Sequence, residues 1–182
     1  MSRTDARIRY TQGVLKQALL SFLQEKPINK ITVKELCERA ELNRATFYAH
    51  YSDCFALLES IEEDLLEAFQ QSLKLVDSFD VTALIEAIYT MIEQQQEACR
   101  VLIFQNVCPN VLRRMISLAR GKSIAYWKQH LHRVTEAELE MLYTHLSNGL
   151  MHVVVEGYEK YSREEVVRFV NRIVQCSLSQ FQ

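Results

Sequence analysis

Toward the end of the chain Leu142, Leu146, Gly149, Leu150, Val153, Val154 and Gly157 recur at three- and four-residue spacing, and Val166, Val170, Ile173, Val174, Ser177, Leu178 and Phe181 repeat the pattern. That spacing lays one apolar stripe along each of two helices. The whole chain reads in the same way. It predicts helices over residues 4–25, 33–40, 44–51, 53–78, 81–99, 111–132, 136–160 and 163–179, with a broken segment over 100–110 around Pro109, so about nine helical pieces. The first is expected to stop before Pro27, and Gly121 marks a possible kink in the helix over 111–132.

Helix starts carry their own marks. Thr32 followed by Glu35, Thr135 followed by Glu138, and Ser162 followed by Glu165 each match the capping box, in which hydroxyl and carboxylate satisfy orphan N–H groups reciprocally. Asn43, Ser52 or Asp53, and Asp80 are further N-caps. Composition agrees. The chain holds 4 Gly and 2 Pro among 182 residues, too few for the tight turns of a sandwich or barrel. The fold class is all-α, and 48% hydrophobic residues suffice for one core or for two smaller ones sharing an interface.

Several functions are set aside by what the chain lacks. It has no apolar run of about eighteen residues, and its first residues show no apolar signal core, so a cytoplasmic protein with no membrane partner is expected. Cys37, Cys54, Cys99, Cys108 and Cys176 are scattered and odd in number, which argues against a disulfide framework or a zinc site. His130, His132, His145 and His152 have no carboxylate or thiol at ligand spacing, so no metal and no cofactor are expected. There is no nucleophile–base pairing and no phosphate-binding glycine loop, so the chain does not read as an enzyme.

Charge is unevenly distributed along the chain. The net charge is −2, yet residues 1–52 hold nine Lys or Arg against five Asp or Glu, a local excess of +4. Residues 53–182 carry −6. A basic N-terminal part suits contact with phosphates. Within it, two short helices flank the turn Glu41-Leu42-Asn43. Leu36, Ala40, Leu42 and Phe47 are spaced to face the first helix, leaving Arg44, Ala45, Thr46, Tyr48, Ala49 and His50 outward or at the exposed end. A short second helix with such a face fits the DNA major groove. Arg44 can donate two hydrogen bonds to guanine, and Thr46 can hydrogen-bond a base or offer its methyl to thymine. Tyr48, His50 and Lys34 can reach phosphate oxygens, which fixes register rather than sequence.

The run Ile31-Thr32-Val33, Leu36, Thr46-Phe47-Tyr48-Ala49-His50-Tyr51 and Leu57-Leu58 resembles the N-terminal domain of the TetR family of bacterial regulators, in its small Gram-positive form, over residues 8–62. The resemblance implies a three-helix DNA-binding domain over 1–52 and a helical ligand-binding and dimerisation domain over 53–182. It implies base reading by Arg44, Ala45 and Thr46, backbone contact by Tyr48 and His50, and a phosphate contact at Thr32. It further implies a homodimer held by the last two helices, drawing here on Leu146, Gly149, Leu150, Val153, Val170, Ile173, Val174 and Ser177. The expected function is a transcriptional regulator, usually a repressor, that binds a palindromic operator in double-stranded DNA and is released by a small-molecule effector. Tyr89, Phe104, Met115, Trp127 and Met141 are expected either to line an effector pocket or to fill a core. Two residues depart from the family pattern. Glu41 stands where glycine is common, and Cys54 where a phosphate-gripping lysine is common. Cys54 reads as a thiol sensor at a helix N-terminus or as a tolerated small residue. The departures motivate a rival reading, an adaptor of the same fold that docks another protein.

Overall fold

The computed structural model describes residues 3–74 and 81–181. Among them there is no strand, and the α-helices are α1 (Arg3–Leu23), α2 (Val33–Arg39), α3 (Arg44–Tyr48), α4 (Cys54–Lys74), α5 (Val81–Gln94), α6 (Gln96–Ala98), α7 (Pro109–His130), α8 (Glu136–Gly157) and α9 (Arg163–Leu178). The Asp80 cap and the end of the helix expected over 53–78 lie outside the described residues.

The predicted caps form. Thr135 N–H donates to Glu138 Oε2 at 2.7 Å while Glu138 N–H donates to the Thr135 hydroxyl at 3.3 Å. Ser162 and Glu165 do the same at 2.9 and 3.3 Å. Asp53, rather than Ser52, caps α4: its carboxylate accepts from Ala56 N–H at 2.8 Å. Pro109 takes the first turn of α7, where its missing N–H has no helical partner to lose. α7 then runs unbroken through Gly121.

The middle of the chain departs from the expected pattern. The helix expected over 81–99 ends at Gln94, and Cys99–Phe104 winds as a π-helix before Asn106, at φ 54°, stops it. Cys99, Val101, Leu102 and Ile103 are all buried. A helical stretch that buries nearly consecutive residues is enclosed on more than one face, so it shows no single apolar stripe at the 3.6-residue period.

The described chain forms two compact units. One comprises residues up to Leu65 with Glu97–Val107, the other Leu66–Gln96 with Cys108–Gln182. In the first, α1, α2 and α3 pack around Leu15, Leu19, Leu36 and Phe47, none of which is exposed at all. In the second, α7 packs on α8, and α9 packs on α5 and α8, around Ile85, Met91, Met115 and Val154. Among the described residues no helix is long and apolar enough to cross a membrane, and no group of three or more His, Cys, Asp or Glu could hold a metal ion.

Candidate nucleic-acid interface

Phe47 organises the first unit's outward face. Its ring is wholly buried, meets Tyr48 edge-on at 5.5 Å and leans on Tyr51 at 5.9 Å. α3 ends at Tyr48, three residues before the expected limit, because Tyr51 turns inward and is buried. With Phe47 pinned from beneath, Arg44, Ala45, Tyr48 and Ala49 stand exposed, and Thr46 and His50 are half-buried. Tyr48 is 58% exposed, so its hydroxyl is free to reach a phosphate.

The turn before α3 is a Schellman motif. Glu41 N–H donates to the Glu38 carbonyl and Leu42 N–H to the Cys37 carbonyl at 2.9 Å, the two bonds that close a helix through one left-handed residue. That residue is Glu41, at φ 53°. A side chain there costs about 1 kcal/mol through its Cβ. Glu41→Gly is therefore expected to raise stability by about 1 kcal/mol, or about 2–4 °C in melting temperature. A melt followed by circular dichroism checks this, and an unchanged or lower midpoint would contradict it.

Two cap hydroxyls are already engaged. The Thr46 hydroxyl donates to Asn43 Oδ1 at 2.9 Å, beside the Thr46 N–H that donates to the same oxygen at 2.7 Å. Thr46 thus faces outward with acceptor lone pairs and a methyl, suited to an amino group or to a thymine methyl. The Thr32 hydroxyl donates to Glu35 Oε2 at 2.7 Å, and Thr32 N–H donates there at 2.9 Å. Lys26 Nζ, 2.6 Å from the other carboxylate oxygen, together with these Thr32 bonds holds the Glu35 pKa down to about 2. A phosphate contact from Thr32 requires its proton to move from Glu35 to the phosphate. Lys34 is freer: its ammonium stands 3.8 Å from Glu38, with both side chains largely exposed. Arg39 is used internally, stacked 3.4 Å over the Phe22 ring and paired with Glu25 at 3.0 Å.

The structure adds Arg7, which the sequence reading missed. With Ile8 and Thr11 of α1 it lines an open groove of about 390 Å³ shared with Asn43, Thr46 and His50. The available signal was the basic spacing of Arg7 and Arg9 on the helix that supports the motif. Cys54 is buried, and burial pushes its thiol pKa up. It is a protonated small core residue rather than a thiolate sensor.

In the second unit an apolar cavity of about 50 Å³ is lined by Met115 and Trp127 among others. The other three pocket candidates stand elsewhere. Tyr89 is buried against Tyr158 at 5.7 Å and under the Arg163 guanidinium at 5.1 Å. Phe104 belongs to the first unit's π-helix, and Met141 is 63% exposed. Of the dimer candidates, Leu146, Val170 and Val174 are buried within the chain, and Leu150, Val153 and Ser177 are half-buried. Ile173 is exposed, and a Cβ added at Gly149 would meet nothing within 4 Å. Gly157 serves the chain itself, since a Cβ there would come within 3.1 Å of the Tyr161 ring. Phe169 and Tyr161, both exposed, extend the outer apolar face and were not foreseen.

These features define a class: the fold is that of the TetR-family transcriptional regulators. No family model matches the chain. It is 37% identical over 62 residues to the HTH-type transcriptional regulator YxbF of Bacillus subtilis (strain 168), a stretch covering 34% of this chain and 16% of that relative's length. Among solved structures, a TetR transcriptional regulator from Streptococcus agalactiae 2603V superposes with a TM-score of 0.67 at 21% identity, covering 94% of this chain and 97% of that one. The dihydroxyacetone kinase operon activator DhaS does so with 0.64 at 14% identity, covering 94% and 98%. The TetR-family regulator PfmR from Thermus thermophilus gives 0.62 at 16% identity, covering 88% and 96%.

Proposed function

We propose that the chain is a DNA-binding transcriptional regulator that works as a homodimer on a palindromic operator, with residues 1–52 reading DNA and 53–182 serving dimerisation and control. The observation that carries this is the outward face of α3, with Arg44, Ala45, Thr46 and Tyr48 presented over a buried Phe47. Arg44, Ala45 and Thr46 read bases, while Tyr48, His50, Lys34 and, with the proton shift described, Thr32 hold the backbone. One short helix contacts too few base pairs for specificity, so two copies are needed, about 34 Å apart. Titrating the purified chain onto duplex DNA over a range of salt tests the phosphate contacts. The expected result is a linear fall of log K with log salt, and a flat response would remove the reading.

The dimer forms through the outer faces of α8 and α9, where Gly149 permits close approach and Phe169 and Ile173 present an uncovered apolar edge. Phe169→Asp and Ile173→Asp are each expected to weaken dimerisation by about thirtyfold or more while leaving helicity intact. Sedimentation equilibrium reads this, and dimers that persist in both variants would place the interface elsewhere. α4 runs from one unit into the other. A small molecule bound in the second unit would act by favouring one dimer geometry and so changing the spacing of the two α3 helices. Repression relieved by that effector is the proposed outcome.

A further inference from the structure

We propose that the cavity of the second unit selects a small, uncharged, mostly apolar molecule bearing a single hydroxyl or carbonyl, with Ser123 as its hydrogen-bonding partner. This rests on the reading of that unit as effector-binding and names the chemistry of the effector. The lining includes Phe69, Ile88, Met115, Trp127 and Leu146, and no charged side chain among the described residues. An ionised ligand would lose its hydration there with nothing opposite in charge to replace it.

Ser123 supplies the polar group on the cavity wall. It is 2% exposed, lines the cavity, and its hydroxyl has no hydrogen-bond partner among the described residues. Ser147, on the same wall, also has an unpartnered hydroxyl oxygen but is only half-buried as a residue, whereas other helical hydroxyls of this chain bond back to the backbone. Ser72, Thr90, Thr144 and Ser177 each donate to the carbonyl four residues earlier, at 3.0, 2.8, 2.8 and 2.9 Å. A buried hydroxyl left unpaired costs free energy, whereas alanine at the same place costs little. Such a group on the wall of an apolar space is explained if something enters and pairs with it. Tyr143 does not compete for that role, because its hydroxyl donates to the Ile116 carbonyl. The space, about 50 Å³, limits the ligand's size. An apolar cavity of about 150 Å³ takes benzene, so the space as it stands takes about two non-hydrogen atoms, and a ligand of about five enters only by widening it about two- to threefold.

Calorimetric titration of the full chain, without DNA, with 1-butanol, 2-butanone, butyrate and butylammonium tests the proposal. The alcohol and the ketone are expected to bind with a dissociation constant near or below about 1 mM, and both ions at least about tenfold more weakly. Ser123→Ala is expected to weaken butanol binding about tenfold without lowering the melting temperature of the unliganded protein, a pairing that a purely structural serine would not give. Ser123→Val, checked for folding by circular dichroism, should abolish binding by filling the space. Butyrate binding as well as butanol, equal butanol affinity in Ser123→Ala, or no binding of any probe at about tenfold the expected constant (the behaviour of a cavity that holds only water) would each overturn it. Because DNA is absent, failure of the DNA-binding reading would leave this result standing. Butanol binding that leaves DNA affinity unchanged would count against the regulatory role and for the ligand class.

Discussion

Phe47→Ala is expected to destabilise the protein by about 3–5 kcal/mol, the range for truncating a fully buried aromatic. Phe47 has no exposed surface and contacts both Tyr48 and Tyr51. Removing the ring leaves a cavity beneath a helix only five residues long, with little internal hydrogen bonding to hold it. The melting midpoint should fall by about 6–20 °C. DNA affinity should fall with it, since α3 would lose its support. Tyr48→Phe is the control: Tyr48 is exposed, so its loss should weaken DNA binding without moving the midpoint by more than about 1 °C. A Phe47→Ala midpoint within about 2 °C of the parent would mean that Phe47 does not carry the domain.

The largest effect on binding is expected from Arg44→Ala. A bidentate arginine–guanine contact is worth about 1–3 kcal/mol, and a dimer makes two of them. Operator affinity should drop about thirtyfold to ten-thousandfold, while binding to unrelated duplex stays nearly constant. Lys34→Ala should behave in the opposite way. Its ammonium is exposed and is proposed to meet phosphates, so its loss should weaken all sequences alike and reduce the salt slope by about one charge per subunit. Fluorescence anisotropy on specific and mixed-sequence duplexes separates the two patterns. A uniform loss on both duplexes for Arg44→Ala would assign that residue to the backbone.

The local grammar of the chain was the most legible part. Capping boxes at Thr32, Thr135 and Ser162 are set by residues three apart, so nothing distant is needed to read them. The helix-turn-helix was legible for the same reason: Leu36, Leu42 and Phe47 lie within a dozen residues of one another. What stayed hidden depends on which helix meets which. Leu142 to Gly157 and Val166 to Phe181 gave two broad stripes, and a broad stripe can serve two surfaces at once. The chain's own core takes Leu146, Val170 and Val174, leaving Phe169 and Ile173 outside. Spacing could not divide the stripe, because both surfaces follow the same helical period. The aromatic and methionine candidates divided likewise, with Met115 and Trp127 reaching the cavity and Met141 reaching solvent. Ser123 gave no sequence signal, since a helical serine ordinarily bonds back to its own backbone. The π-helical stretch was hidden because its buried residues are almost consecutive, a pattern with no 3.6-residue period.

Glu41 and Cys54 acquire different meanings from the structure. Glu41 occupies a left-handed position and adds negative charge beside α3, so it lowers stability and, on the proposed reading, would weaken attraction to phosphate. Cys54 is a buried start to α4, where a lysine would have to leave the core to reach a phosphate. On the proposed reading, Arg7 and Lys34 near that face would supply the sequence-independent attraction to phosphate.

Selection of binding sites from a random duplex pool by the purified chain reads out whether two copies recognise a symmetric operator. Enrichment of an inverted repeat whose half-site centres lie about one helical turn apart is expected, with Arg44→Ala relaxing one matching position in each half. Recovery of no enriched sequence, or of a single site without two-fold symmetry, would contradict it.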